Sequence, residues 1–158
     1  MNWQEVCEHP RLKNLPFKIE LNEDGKIIMT PVKVFHSAFQ GELEFLLRSL
    51  LQTGKTLPEC AIATGKGTKV ADVVWASDAV FSFIKNEIEC SVCPEICVEV
   101  FSSSNTHKEM EEKRQLYFDQ GAREFWLCTE QGDMSFFDSQ GELDKSRIVP
   151  DFPTHIDL

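Results

Sequence analysis

The chain has 158 residues with 42% hydrophobic and 27% charged residues, a length and balance typical of one globular domain with its own core. No run of about 18 apolar residues is present, so no membrane span is expected. The N-terminal "MNWQEVCEHPRLKN" lacks the apolar core of a signal peptide. We therefore expect a single domain over residues 1–158, cytoplasmic and without a membrane partner.

The formal net charge of −10 weighs against tight, non-specific binding of nucleic acid, because contacts to phosphates need Lys and Arg. It does not exclude a nucleic-acid enzyme. A site that collects divalent metal ions is built from carboxylates, and a local patch can differ in charge from the whole chain.

The first half of the chain predicts a hairpin, a helix and two strands. "FKIELNEDGKIIMT" (17–30) has two short strands around an Asn-Glu-Asp-Gly turn. "HSAFQGELEFLLRSLLQ" (36–52) carries apolar residues at helical spacing and predicts an amphipathic helix. "ECAIAT" and "KVADVVWAS" are typical of strands separated by the Gly65–Gly67 turn, and "SDAVFSFIKNE" indicates a short helix.

The second half predicts a strand, a helix and further strands. "PEICVEVF" (94–101) is typical of a buried strand, and "SNTHKEMEEKRQLYFDQG" (104–121) of a helix. That helix has a capping box, Thr106-x-x-Glu109, and a stop signal at Gly121. "REFWLCT" predicts a strand and "GDMSFFDSQGEL" an edge hairpin. The strand–helix–strand order favours a βαβ unit in a mixed sheet, and hence an α/β fold with helices on both faces.

Six cysteines stand at positions 7, 60, 90, 93, 97 and 128, and three of them form C-x2-C-x3-C. A structural zinc or an iron–sulfur cluster needs four ligands, usually as two close pairs, and the sequence offers no evident second pair. We favour free thiols. A cysteine-based redox or cluster protein stays open as an alternative.

Two carboxylates interrupt apolar strands. Glu99 lies in "EICVEVFSSS" and Asp72 in "KVADVVWAS". Burial of a lone carboxylate is costly unless it meets a cation or a metal ion. Asp72 alone would be interpreted as a surface residue at a strand end, but two such residues in adjacent buried strands favour a shared site.

Lys113 is the third unusual group. On a helical wheel with Met110 at zero, Tyr117 falls at about 340°, Leu116 at about 240° and Lys113 at about 300°, within the apolar stripe. The lysine could extend past its neighbours to water, or pair with Glu109 one turn earlier. Alternatively, its ammonium lies beside the two carboxylates.

Together these three groups are suited to metal-dependent hydrolysis. Two carboxylates on neighbouring strands can hold Mg²⁺ or Mn²⁺ through oxygen ligands, with a backbone carbonyl, that of Val100, completing the site. The metal lowers the pKa of a bound water and steadies charge on a phosphoryl oxygen, and a lysine stabilises that charge or orients the water. Asp72, Glu99 and Lys113 are therefore the candidate catalytic residues for phosphodiester hydrolysis.

At these residues the sequence resembles the PD-(D/E)XK nuclease superfamily and, more narrowly, the Uma-two family of restriction-endonuclease-like bacterial proteins. That family's run is approximately PDV, then PDLVVEVLSPSN, then DxxEKxxxYxxAGVxEYWxVD. Here it stands as "ADVVWAS", "PEICVEVFSSSN" and "EMEEKRQLYFDQGAREFWLCT". The upstream "MTPVKVFHSAFQGEL" and the closing "VPDFPTHIDL" also resemble the family, so the likeness covers roughly residues 20–158.

The resemblance implies a restriction-endonuclease-like core, with the metal-binding aspartate at Asp72 and the second carboxylate at Glu99. The superfamily often carries a lysine two residues after that carboxylate, where this chain has Phe101. In this family the lysine has moved to the next helix, at Lys113. The products implied are a 3′-hydroxyl and a 5′-phosphate.

The sequence departs from the family pattern at four positions. Ala71 and Ser103 replace prolines, Glu109 replaces an aspartate, and Ala122 replaces a valine. None of these changes deletes a proposed catalytic group.

Residues on the first predicted helix are candidates for supporting roles. His36 matches the family's upstream histidine; packing or hydrogen bonding near the site is favoured over proton transfer or phosphate binding. Gln40 and Glu44 follow one and two turns later, and Glu44 is either a further metal-site carboxylate or a solvated one. Glu109 and Tyr117, which share a helix face with Lys113, complete the supporting set.

We therefore expect a metal-dependent DNA endonuclease that works as a homodimer when it cuts both strands. RNA or a nucleotide is an intermediate possibility for the substrate. The main alternative is a nucleic-acid-binding or regulatory module that keeps the fold and does not cut.

Overall fold

A computed structural model describes residues 1–158, which form a two-stranded hairpin, a six-stranded sheet and four helices. The helices are α1 (Trp3–Glu8), α2 (Val34–Leu50), α3 (Asp78–Ile84) and α4 (His107–Asp119). The hairpin strands are β1 (Phe17–Leu21) and β2 (Ile27–Pro31). The sheet strands are β3 (Lys55–Thr64), β4 (Gly67–Ala76), β5 (Ile96–Val100), β6 (Glu124–Cys128), β7 (Met134–Asp138) and β8 (Gly141–Leu143).

The large sheet has the strand order β3-β4-β5-β6-β7-β8. All neighbouring strands are antiparallel except β5 and β6, which run parallel and are joined through α4. A parallel pair needs such a crossover, because a tight turn cannot reverse the chain twice. The predicted βαβ unit, mixed sheet and N-terminal hairpin are confirmed. No helix combines the length and apolarity that crossing a bilayer requires.

Two hydrophobic clusters cover the two faces of the sheet. On one face α2 packs through Phe39, Leu43 and Leu47 against strand residues that include Trp126. On the other face α3 and α4 contribute Ile84 and Tyr117. The predicted arrangement with helices on both faces is confirmed.

Some boundaries differ from the prediction. Helix α2 begins at Val34, two residues early, and β3 begins at Lys55, well before the predicted "ECAIAT". The early part of β3 contains Pro58, which argues against a central strand. Strand β3 tolerates it because β3 is an edge strand, where Lys55 pairs with Ala76 and Leu57 with Val74.

The predicted ends of α4 are confirmed. Thr106 Oγ1 accepts a 3.1 Å hydrogen bond from Glu109 N–H, and Glu109 Oε2 accepts a 3.2 Å bond from Thr106 N–H. Gly121 follows the helix with φ of +105°, a conformation that favours glycine. The Glu109 carboxylate is thereby held at the helix start, which leaves Lys113 free for other partners.

The hairpin docks onto β4 through polar contacts. Val70 N–H donates 2.7 Å to Glu20 Oε2, and Lys69 Nζ donates 3.1 Å to the Leu21 carbonyl. Gly67 makes this approach possible, because a Cβ there would lie 2.3 Å from the Asn22 carbonyl oxygen. The hairpin therefore rests directly over the strand that carries Asp72.

The fold brings the buried cysteines together in a way that the sequence did not indicate. It supplies the second pair that the sequence did not indicate, because β3 brings Cys60 Sγ within 3.4 Å of Cys90 Sγ. Cys93 Sγ and Cys97 Sγ are 3.2 Å apart. All six cysteines are free thiols, and no group of three or more His, Cys, Asp or Glu side chains is arranged to hold a metal ion. The cluster alternative thus lacks its ligand geometry.

Candidate active site

The two buried carboxylates lie where β4 and β5 stop pairing. The last cross-strand pair is Val73 with Val98, and Asp72 and Glu99 are the next residues on each strand. Instead of continuing the ladder, Val100 N–H donates a 2.7 Å hydrogen bond to Asp72 Oδ2. The diverging strands thereby leave room for two carboxylates, which are only 1% and 2% exposed.

Glu99 faces α4. Its neighbours Val98 and Val100 belong to the α2 side of the sheet, so alternation turns Glu99 to the opposite side. There Tyr117 donates its hydroxyl to Glu99 Oε1 at 2.8 Å, and Lys113 Nζ lies 3.3 Å from the same oxygen. The buried acid that interrupts the strand is thus matched by donors from the next helix.

Lys113 is directed into the site. Its Nζ lies 2.8 Å from Glu20 Oε2 and 3.3 Å from Glu99 Oε1, and its side chain is 12% exposed. Of the interpretations left open by the sequence, the geometry supports the ammonium beside the carboxylates. Glu109 caps its own helix and does not pair with Lys113.

Two site residues on β1 were missed by sequence reasoning. Lys18 Nζ lies 3.0 Å from Asp72 Oδ1 and 3.5 Å from Glu99 Oε2, while Glu20 bridges Lys113 and the Val70 amide. Lys18 and Glu20 are two residues apart and therefore share one face of the strand. The alternation in "FKIEL" is the only sequence signal, and such a pattern usually marks a solvated face.

Helix α2 supports Asp72 with two side chains. His36 Nε2 lies 3.2 Å from Asp72 Oδ2, and Gln40 Nε2 donates 2.9 Å to the Asp72 carbonyl. The hydrogen-bonding role favoured for His36 agrees with this contact. Glu44 is outside the site: it lies 3.6 Å from Arg48 and is not among the residues that line the pocket. Of the two alternatives left open for Glu44, this position does not support the metal-site carboxylate.

Glu59 adds an unusual backbone beside Asp72. Pro58 pairs with Val73 and Cys60 with Ala71, so Glu59 stands opposite Asp72 in the antiparallel register. Its φ is +47°, and it lines the pocket. A left-handed conformation is uncommon for a residue other than glycine, and such conformations concentrate at functional sites.

The comparisons with known proteins agree with this geometry. The sequence model of the Uma2 family, described as "Putative restriction endonuclease", matches residues 3–153. This chain belongs to the Uma2 family. The fold is similar to the crystal structure, at 1.96 Å resolution, of a putative nuclease belonging to DUF820 from Anabaena variabilis ATCC 29413, with a TM-score of 0.71 and 20% identity over 90% of this chain and 82% of that one. No curated protein matches the sequence. Family and fold together support a nuclease.

The two acids of this Uma2 protein differ in how readily they ionise. Burial opposes ionisation of Asp72, but Lys18 and His36 outweigh it and hold the pKa of Asp72 well below its usual range. Burial dominates at Glu99 and raises its pKa from 4.5 to about 6, against the opposing effect of Lys113 and Lys18. At neutral pH both are carboxylates, and Glu99 is the more easily protonated.

These charges also shift the pKa values of the flanking side chains. The hydrogen bond to Asp72 raises the pKa of His36, which favours an imidazolium. Burial opposes ionisation of Glu20, but Lys113 and Lys18 outweigh it and lower the pKa of that carboxyl. The result is a network in which each carboxylate contacts a lysine or histidine side chain.

The oxygen donors fit a hard divalent cation in type and charge. Asp72 Oδ1 and Glu99 Oε2 converge on one cation, which in this structure is the Lys18 ammonium. Mg²⁺ commonly binds through one or two carboxylates and keeps several waters. The pair of carboxylates therefore suits magnesium once the Lys18 ammonium leaves the position between them.

These groups open to solvent through one polar pocket. Only two of its 14 lining residues are hydrophobic. Asp72, Glu99 and Lys113 lie at its base, and the rim includes Lys33 and Asn105. A phosphate group that enters this pocket therefore meets mostly polar and charged side chains.

Proposed function

We propose that this Uma2 protein is a metal-dependent endonuclease that hydrolyses phosphodiester bonds in DNA. One observation carries the proposal: two buried carboxylates from diverging strands and the Lys113 ammonium from α4 meet at the base of a single polar pocket. These are the groups that phosphodiester hydrolysis requires, and family membership supports the same chemistry.

In this proposal Asp72 and Glu99 hold Mg²⁺ or Mn²⁺ through their carboxylate oxygens, with the Val100 carbonyl as a further ligand. The bound ion supplies Lewis-acid stabilisation of the phosphate and activation of water. Asp72 is suited to this role because its lowered pKa keeps it ionised.

Lys113 acts on the substrate. An ammonium at the base of a pocket stabilises the charge that develops on a phosphoryl oxygen, or orients the attacking water. Glu20 and Glu99 hold its Nζ at 2.8 and 3.3 Å. Tyr117 and His36 are positioning residues, because each acts through the carboxylate that it contacts.

The proposed substrate is DNA, despite the net charge of −10. A groove of about 480 Å³ beside the hairpin is lined by Lys66, Lys69 and Lys113 and by four glutamates, and its Asn105 and Ser104 can contact phosphates. One chain carries one site, so cutting both strands of a duplex calls for two copies. We propose a homodimer acting in the cytoplasm as the working form.

The second candidate is a nucleic-acid-binding module that does not cut. One observation favours it: both carboxylates already have a cation partner in Lys18, so the ion-pair network is complete without metal. Such a module would bind DNA equally well in chelator and in Mg²⁺.

The test is a cleavage panel of supercoiled, linear duplex, single-stranded DNA and RNA, each with Mg²⁺, Mn²⁺ or chelator. We expect metal-dependent cleavage of DNA by the wild type and a loss of about 100-fold for Lys113→Ala. Lys145→Ala removes one exposed lysine that does not line the pocket, and should keep full activity. Chelator-insensitive DNA binding without cleavage would establish the binding module instead.

A further inference from the structure

We propose that the Lys18 ammonium and a divalent cation compete for one position, so that the hairpin limits how tightly the site holds metal. The inference builds on the proposed metal-dependent function and adds an internal competitor. It assigns a role to Lys18, which lies on a strand outside the central sheet and shares one side of that strand with Glu20.

The distances exclude both cations at once. Lys18 Nζ lies 3.0 Å from Asp72 Oδ1 and 3.5 Å from Glu99 Oε2. Magnesium binds oxygen at about 2.1 Å. An ion ligated by both oxygens would therefore occupy nearly the same space as the ammonium. At such a separation the repulsion between the two cations is strong, because the site is shielded from water.

The balance of charges in the site also favours competition between Lys18 and a divalent cation. Three carboxylates, those of Glu20, Asp72 and Glu99, face two ammonium groups, those of Lys18 and Lys113. His36 Nε2 also lies 3.2 Å from Asp72 Oδ2. The two ammonium groups offset most of the charge of the three carboxylates before any metal arrives, so a divalent cation gains its full attraction only when Lys18 withdraws.

Lys18 has a route out. Its side chain is 12% exposed and is one of the side chains that line the pocket. The hairpin is anchored separately, by Glu20 to the Val70 amide and by the Leu21 carbonyl to Lys69. The flexible four-carbon stem of a lysine lets its ammonium swing towards solvent while the strand stays in place.

The experiment is a titration of Mn²⁺ alone into the metal-free protein, without nucleic acid, followed by calorimetry and by the spin signal of free Mn²⁺. We expect Lys18→Ala to bind Mn²⁺ roughly tenfold more tightly than the wild type. Lys33→Ala is the matched control, because Lys33 lies on the pocket rim and its Nζ donates to Ser103. That variant loses the same charge and should stay within about twofold of the wild type.

Unfolding midpoints with and without Mn²⁺ give an independent readout. Without metal, Lys18→Ala should unfold at a lower temperature, because two buried carboxylates lose a partner. Mn²⁺ should raise its midpoint by more than it raises that of the wild type. Lys18→Gln keeps most of the stem and serves if the alanine variant does not fold.

The outcomes separate this inference from the proposed function. Equal or weaker Mn²⁺ binding by both Lys18 variants, with metal bound by the wild type, overturns the competition and leaves the metal site intact. No Mn²⁺ binding by wild type or by either variant overturns the metal site itself.

Discussion

The hydroxyl of Tyr117 donates a 2.8 Å hydrogen bond to Oε1 of Glu99, and the two side chains are 0% and 2% exposed. Tyr117→Phe removes only the hydroxyl and leaves a buried carboxylate with one donor fewer. We expect a loss of about 1–3 kcal/mol in the free energy of unfolding, measured by urea denaturation.

The control for this substitution is the same change in a Glu99→Gln background, where the accepting charge is absent. The cost of removing the hydroxyl should shrink there, since a bond to a charged acceptor contributes more than one to a neutral acceptor. The same cost in both backgrounds would mean that the contribution of the Tyr117 hydroxyl does not depend on the charge of Glu99.

The pH dependence of stability follows from Glu99. Burial raises its pKa from 4.5 to about 6, so the folded state holds this proton more tightly than the unfolded state does. The stability gained from protonation is full below the unfolded value and is lost as the pH rises through the folded value. As the pH rises from below 4.5 to above 6, the free energy of unfolding of the metal-free wild type should fall by about 2 kcal/mol relative to that of Glu99→Gln. Unfolding free energies of the two proteins measured in steps of pH test this, and a constant difference would contradict it.

Glu20 is expected to hold the hairpin and Lys113 together. Glu20→Gln weakens the ion pair with Lys113 and the bond from the Val70 amide, which are 2.8 and 2.7 Å long. Hydrogen exchange at β1 amides should accelerate, because the hairpin docks mainly through polar contacts. Glu23→Gln is the matched control, since that side chain is exposed in the turn. Similar exchange rates in the two variants would show that Glu20 does not anchor the strand.

The cysteine pairs should differ in their response to oxidation. Cys60 and Cys90 lie 3.4 Å apart and are 9% and 6% exposed, whereas Cys97 is fully buried. The hydrogen bond from Cys60 lowers the pKa of Cys90, which favours its thiolate. A small disulfide oxidant should therefore join Cys60 and Cys90 first, with its own two sulfurs released as thiols. Peptide mapping by mass spectrometry reads the linkage, and prior formation of a Cys93–Cys97 bond would contradict the expectation.

Local patterns were enough to predict most of the fold. Capping residues predicted the ends of α4, and the apolar run with a following helix and strand predicted the parallel β5–β6 pair. The convergence of Asp72, Glu99 and Lys113 was also expected, because each group violates the polarity of its surroundings. A charged residue within an apolar pattern can be recognised from the sequence alone, without knowing how the strands pair.

Lys18, Glu20 and Glu59 could not be found that way. Lys18 and Glu20 lie on a strand whose alternation is equally typical of a solvated hairpin, and their function depends on long-range docking onto β4. Glu59 lies opposite Asp72 with a left-handed φ and lines the pocket, and no residue pattern in the sequence indicates this position. For Glu44, helical spacing gave the turn on which it lies and left open whether its side chain is directed to the site.

The measurement that tests the central claim most directly is nicking of supercoiled DNA by wild type and by Asp72→Asn, in Mg²⁺ and in chelator. Asp72→Asn keeps the shape of the side chain and removes the charge that the cation needs. Wild type should nick only with a divalent metal, and Asp72→Asn should be slower by about 100-fold or more in the same metal. Equal nicking in chelator, or nicking by Asp72→Asn at the wild-type rate, would contradict a metal site built on the two strand carboxylates.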